Sequence, residues 1–154
     1  MPSFLKRVAL FLSTGLGFGY SPWMPGTLGS LWGIPLFYLT RHESLTTWLL
    51  LAPLFILLSI VLAESAERSL GGHDSSKIVI DEIVGYWISV LALPFNFKNV
   101  ALAFIIFRFF DIVKPYPIRL IDQKWKGGTG VVMDDVASGI ATRLVMQLIL
   151  IFWS

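Results

Sequence analysis

The sequence predicts an all-α protein: a polytopic membrane helical bundle of about five spanning or partly spanning helices plus an N-terminal interfacial helix, forming a single domain over residues 1–154. Three observations lead there. Of 154 residues, 55% are hydrophobic and only 14% charged, whereas a soluble domain carries about 25% charged residues. No Asp, Glu, Lys or Arg occurs in residues 8–40, a run of 33, or in residues 44–63, a run of 20, and about 20 helical residues cross a hydrocarbon core of roughly 30 Å. The charges that remain also sort to one side of the expected membrane.

The elements follow in chain order. Residues 4–13 carry Lys6 and Arg7 beside apolar positions and read as an interfacial helix. A signal peptide is the competing expectation for this end, but no A-x-A cleavage pattern follows it. Residues 15–27 are broken by Gly15, Gly17, Gly19, Pro22, Pro25 and Gly26 and are expected to form a loop, because irregular backbone cannot face lipid. Residues 28–39 make a short first span, and residues 45–63 the clearest one, despite Pro53. Segments 78–93, 100–110 and 136–153 are apolar but shorter or interrupted, the last by Arg143. A charge inside a span is costly alone, so Arg143 is expected to pair with an acid, such as one of the aspartates at the start of its helix.

With the N-terminus inside, nine cations fall on the inner face: Lys6, Arg7, Arg68, Lys77, Arg108, Lys114, Arg119, Lys124 and Lys126. Only Arg41 and Lys98 fall outside, which obeys the positive-inside rule. Nine of the ten carboxylates sort with the inner cations, leaving Glu43 outside. A plain anchor has no reason to gather acids in this way. A net charge of +2 is too weak a field for a nucleic-acid partner, and the absence of cysteine excludes disulfides, thiolate metal sites and a cysteine nucleophile.

Two acidic pairs, Asp81-Glu82 and Asp134-Asp135, each precede an apolar segment. Taken singly, each is accounted for by capping of a helix N-terminus, worth about 0.3–2 kcal/mol. Two such pairs on one face are a different matter, since adjacent carboxylates near low dielectric repel unless protonated or bridged by a cation. Mg²⁺, which takes carboxylates, waters and phosphate oxygens, would resolve this. Asp111 is a third candidate. Arg108, Asp111 and Lys114 recur at three-residue spacing on one helical face before Pro115 ends the helix. They read either as an ion-paired helix end with snorkelling cations or as a phosphate clamp beside a metal ligand, with Arg119 as a second clamp.

Two glycine-rich runs carry less. Thr27 and Ser30, in Pro25-Gly26-Thr27-Leu28-Gly29-Ser30, are placed either to meet an anion or to cap the first span. Gly127-Gly128-Thr129-Gly130 matches no Walker or dinucleotide pattern and reads as a flexible loop. His73, beside Asp74, is placed to move a proton near Asp81, or is a solvated loop residue. With His42 on the opposite face, a histidine-rich metal site is excluded.

Taken in order, these blocks, with Asp81-Glu82-Ile83-Val84-Gly85, the stretch from Phe107 to Arg119 and the stretch from Gly127 to Gly139, resemble the bacterial phosphatidylglycerophosphatase A family. Tyr116, where the family often has Trp, and Val131-Val132 are mild departures that remove no charged group. The resemblance implies a Mg²⁺-dependent, multi-pass phosphatase of the bacterial inner membrane, with its site on the cytoplasmic face. Its substrate would be the phospholipid phosphatidylglycerophosphate, converted to phosphatidylglycerol in phospholipid biosynthesis. Its partners would be membrane lipids and no nucleic acid.

On this reading Asp81, Glu82, Asp134 and Asp135, with Asp111, hold one or two Mg²⁺ ions. Arg108, Lys114 and Arg119 bind phosphate, assisted by Thr27 and Ser30, and the catalytic set is Asp81, Asp111, Asp134, Asp135 and His73. Direct attack by water and attack by an aspartate stay open. Rival readings are hydrolysis of another lipid phosphate by the same groups, and an ion- or proton-coupled transporter. A transporter calls for acids near the midplane rather than at one interface.

Overall fold

The structure, a computed structural model, describes residues 3–71 and 75–152, and among them every regular element is helical. The helices are α1 (Ser3–Ser13), α2 (Pro25–Thr40), α3 (Leu45–Leu70), α4 (Ile80–Ser89), α5 (Phe97–Val113), α6 (Ile118–Lys124) and α7 (Gly127–Phe152), with a 3₁₀ turn at Phe18–Tyr20. His73 and Asp74 lie outside the described residues.

Two of these helices, α3 and α7, are long and apolar enough to cross a membrane by length and composition. At 26 residues each they measure about 39 Å. Ser44 Oγ caps α3 by accepting from the Thr47 N–H at 3.1 Å, and Gly71, in the left-handed region at φ 75°, closes its other end. Pro53 lies inside α3 without ending it. Leu49, Leu50, Leu54, Leu57, Leu58 and Val61 point outward from α3 and are exposed, an apolar stripe that water would not tolerate and lipid would cover. Alongside α3 runs α1, amphipathic as expected, with Phe4, Leu5 and Phe11 exposed and Ala9 buried.

Of the boundaries that differ from the sequence expectation, three bear on the site. The first is α2, which begins at Pro25, because proline's fixed φ suits the first helical position and its missing N–H costs nothing there. Thr27 and Ser30 therefore sit inside the first turns rather than capping them, and Ser30 Oγ donates back to the Gly26 carbonyl at 2.9 Å. Next, the segment read as 78–93 contains a helix of ten residues, about 15 Å long. The residues after it form a turn in which Ala92 adopts φ 53°.

The third boundary is α7, which begins at Gly127, so the glycine run is helix and not a flexible loop. The reason is a partner the sequence hid: Glu64 Oε2 on α3 accepts the Gly128 N–H at 2.8 Å and satisfies one of the free donors at the helix start. Asp134 and Asp135 consequently lie two turns into α7 and cannot be N-terminal caps.

Arg143 also finds a different partner from the one expected. Its Nε donates to the Leu91 carbonyl at 2.6 Å and its Nη1 to Gln147 Oε1 at 2.9 Å. The aspartates of α7 lie about 12 Å back along the helix, whereas the turn after α4 leaves a carbonyl without a helical donor.

The core is built around α4. Trp87 stacks on Trp48 of α3 with ring centroids 4.5 Å apart and donates through Nε1 to Thr40 Oγ1 of α2 at 3.0 Å. Tyr86 donates its hydroxyl to the Val100 carbonyl of α5 at 3.0 Å. Towards its other end α4 crosses α7 backbone to backbone: a Cβ added to Gly139 would lie 2.3 Å from the Gly85 carbonyl, and one added to Gly85 would lie 2.7 Å from the Asp135 carbonyl. Only glycine fits at such an approach. Asp81 is four residues before Gly85 and Asp135 four before Gly139, so this crossing brings the two acidic pairs together.

Candidate active site

The acidic ends of α4 and α7 form one wall of a cavity of about 400 Å³. Six of the ten carboxylates of the chain line it: Asp81, Glu82, Asp111, Asp122, Asp134 and Asp135. Oxygens of Asp81, Glu82 and Asp135 lie within 4.8 Å of one another. Asp135 is 3% exposed, and both Asp81 Oδ1 and Glu82 Oε2 are buried with no hydrogen-bond partner. Gly26 of α2 closes the back of the cluster, since a Cβ there would lie 2.2 Å from Glu82 Oε1 and 3.4 Å from Arg108 Nη1.

These observations test the fit of a divalent cation directly. Three carboxylates at this spacing, with Asp135 buried and Asp81 and Glu82 each holding one buried oxygen, repel one another in low dielectric, and those two oxygens have no donor among the described residues. Hard oxygen donors of this kind suit Mg²⁺, Mn²⁺ or Ca²⁺. The donor set fits a divalent metal without distinguishing among them.

Around this core the cations divide into two groups. Lys114 donates through Nζ to Asp122 Oδ1 at 2.6 Å and to Asp134 Oδ2. Burial alone would lower its pKa, but the ion pairs with Asp122 and Asp134 outweigh burial and raise it, so the ammonium stays charged. Lys114 itself sits in the left-handed region at φ 45°, where it ends α5 ahead of Pro115. Asp134 is thus held by Lys114, apart from the group of three formed by Asp81, Glu82 and Asp135.

Arg108 sits behind the cavity wall. Its Nη1 pairs with Asp111 Oδ2 and donates to Ser30 Oγ at 3.4 Å, while its Nε is buried without an acceptor. Thr27 Oγ1 is buried and equally unpartnered. Among the residues read from sequence, Asp81, Glu82, Asp111, Lys114, Asp134 and Asp135 line one cavity. Ser30 and Arg108 stand behind it, and Thr27 does not line it. Arg119 is exposed and does not line it.

The cavity also has walls that sequence reasoning did not single out: Ser75 and Ser76 before α4, Asp122 on α6, and Trp125 and Lys126 ahead of α7. A signal for the last two was available in their adjacency to the glycine run. None existed for Asp122, because its role comes from a reach of eight residues back to Lys114 across the turn at Pro115.

Comparison with known proteins identifies the family. Residues 11–150 match the family described as Phosphatidylglycerophosphatase A. The chain is 38% identical over 143 residues to the Phosphatidylglycerophosphatase A of Escherichia coli K12, covering 92% of this chain and 83% of that protein. It is 37% identical to the Haemophilus influenzae protein of the same name, covering 92% and 91%. It is also 43% identical, covering 96% and 94%, to a Bacteroides thetaiotaomicron protein named "Putative phosphatidylinositol-3-phosphatase". No solved structure matches the chain significantly. The matched stretch contains both acidic pairs, the Arg108 to Lys114 segment and the glycine crossing that unites them, and the chain belongs to the phosphatidylglycerophosphatase A family of phosphoric monoester hydrolases.

Proposed function

We propose that this protein is a multi-pass enzyme of the bacterial inner membrane that hydrolyses the phosphomonoester of phosphatidylglycerophosphate to give phosphatidylglycerol, using Mg²⁺ on the cytoplasmic face. The observation that carries the proposal is the group of Asp81, Glu82 and Asp135, within 4.8 Å of one another on the wall of a cavity that also holds Lys114. The family and its two curated relatives of that name support the substrate. In this reading α3 and α7 cross the bilayer and α2, α4 and α5 span it in part, which keeps the acidic ends at one interface.

The division of labour follows from the side chains. Asp81, Glu82 and Asp135 hold the metal, with Asp111 and Asp134 adjoining. When bound, Mg²⁺ supplies charge neutralisation and polarisation of phosphoryl oxygens. Arg108, paired with Asp111 behind the cavity wall, holds that carboxylate in place and adds positive charge beside the phosphate site. Thr27 offers an unpartnered hydroxyl from the same helix as Ser30. Lys114 orients Asp134 and faces the cavity, where an ammonium balances the incoming charge. His73 and Arg119 keep the roles of proton carrier and outer phosphate clamp.

The test is phosphate release from the purified full chain, in detergent or nanodiscs, with and without Mg²⁺. Release from phosphatidylglycerophosphate that stops under chelator and returns with Mg²⁺ is expected; no release under either condition overturns the reading. The Bacteroides relative favours a second substrate for the same site, phosphatidylinositol 3-phosphate. Competition between the two lipids decides: with both present at equal concentration, the ratio of their turnover rates equals the ratio of their kcat/KM values.

A further inference from the structure

A second cavity, a groove of about 910 Å³, lies between α1 and the C-terminal end of α3. It shares no lining residue with the acidic cavity. Lys6 and Arg7 of α1 and Arg68 of α3 line it, together with the apolar side chains of Leu10, Ile60 and Val61. Its carboxylate, Glu64, is already engaged, accepting from Arg68 Nη2 at 2.8 Å and from the Gly128 N–H at 2.8 Å. Lys6 and Arg7 form no ion pair among the described residues. Three cations against one carboxylate leave the groove with an excess of two positive charges.

The position of the groove says what would neutralise it. The outward stripe of α3 runs up to Val61, and the next exposed residues on that helix are the polar Arg68 and Ser69. The bilayer boundary therefore falls at the groove, on the reading that α3 crosses the membrane. From the same level α1 turns Phe4, Leu5 and Phe11 outward, as an interfacial helix does. Cations at that depth, above an apolar wall, face the layer in which lipid phosphates sit.

We propose that the groove binds the headgroup phosphate of an anionic glycerophospholipid, with its acyl chains lying against Leu57 and Val61, as a site separate from the acidic cavity. An anionic lipid is favoured over a zwitterionic one because the latter brings its own cation against Lys6, Arg7 and Arg68. The proposal rests on the membrane reading of α3 and not on the identity of the phosphatase substrate.

The test uses the full chain in nanodiscs of equal phosphatidylcholine and phosphatidylglycerol, counting by native mass spectrometry the lipids that stay bound on release. The wild type is expected to retain phosphatidylglycerol in preference. Lys6→Gln with Arg7→Gln should weaken that preference about thirtyfold, roughly fivefold for each cation removed near the surface. The charge-preserving pair Lys6→Arg with Arg7→Lys should keep it, and so should Arg108→Gln. Turnover of the neutralised variant on detergent-solubilised lipid should stay within about twofold of wild type, because the acidic cavity is intact.

Unchanged retention in the neutralised variant overturns the proposal. Loss of retention in Arg108→Gln alone overturns it too, by placing the lipid in the acidic cavity. Displacement of the retained lipid by millimolar glycerol phosphate also counts against it, since the groove would then be a site for soluble phosphate esters.

Discussion

At one end of α4, Trp87 donates to Thr40 Oγ1 and Tyr86 to the Val100 carbonyl; at the other, Asp81 and Glu82 each leave a buried carboxylate oxygen with no donor. The two ends stand four to six residues apart on one ten-residue helix. The aromatic end is not free of orphans, because Trp48 Nε1 is buried without an acceptor. That group is neutral, and leaving it unpaired costs about 1–3 kcal/mol, whereas several uncompensated carboxylates in low dielectric cost far more. The difference separates what the chain completes by itself from what it leaves for a ligand. On α4 itself, the polar side chains that serve the fold find partners within it, while Asp81 and Glu82 each keep an oxygen open.

The sharpest way to break this comparison is Asp135→Asn, which removes one of the three clustered charges. Turnover is expected to fall by about 10²–10³-fold, the scale seen when one preorganised electrostatic group is lost at a reacting centre. Thermal stability measured in chelator should rise, because like-charge repulsion is relieved. Mg²⁺ at a hundred times its Kd should stabilise the wild type by about 2.7 kcal/mol and the variant by much less. Turnover near wild type in Asp135→Asn would mean that the cluster is not where catalysis occurs.

A smaller effect is expected at the crossing that assembles the cluster. Gly139→Val puts side-chain atoms where the Gly85 carbonyl now stands, and such overpacking costs about 1–3 kcal/mol. Because the helices must separate to accept it, metal affinity should weaken along with stability, and calorimetric titration of Mg²⁺ would show both. The smallest effect belongs to the aromatic end. Trp87→Phe deletes the bond to Thr40 and should cost about 1 kcal/mol from that hydrogen bond alone, with further loss from the smaller ring, while kcat stays within about twofold. A variant that lost turnover in proportion to the acidic substitutions would erase the distinction between the two ends.

How far the sequence revealed these regions depends on the range of the interaction concerned. The all-helical class, α1 and the apolar stripe of α3 were legible because hydropathy and charge spacing act over a few residues. Asp81, Glu82, Asp111, Asp134 and Asp135 were legible as candidates, since carboxylates in an apolar chain demand an explanation. The start of α7 was not, because the donor at Gly128 is satisfied by Glu64, 64 positions away. Nor was the partner of Arg143, a carbonyl exposed only by the early end of α4. The sorting of Asp134 to Lys114, and of Asp135 to the cluster of three, depends on which side of α7 meets α4, and that is decided by Gly85 and Gly139.

That crossing also limits how the enzyme can be redesigned. The gap between the two acidic pairs is set by main-chain atoms touching main-chain atoms, so swapping neighbouring side chains leaves it nearly fixed. An engineer wanting room for a larger ion, or a wider bite on a bulkier headgroup, would have to shift whole helices by reworking α2 and α5 around them. The aperture is in effect machined into the scaffold, and its tolerance is that of a glycine.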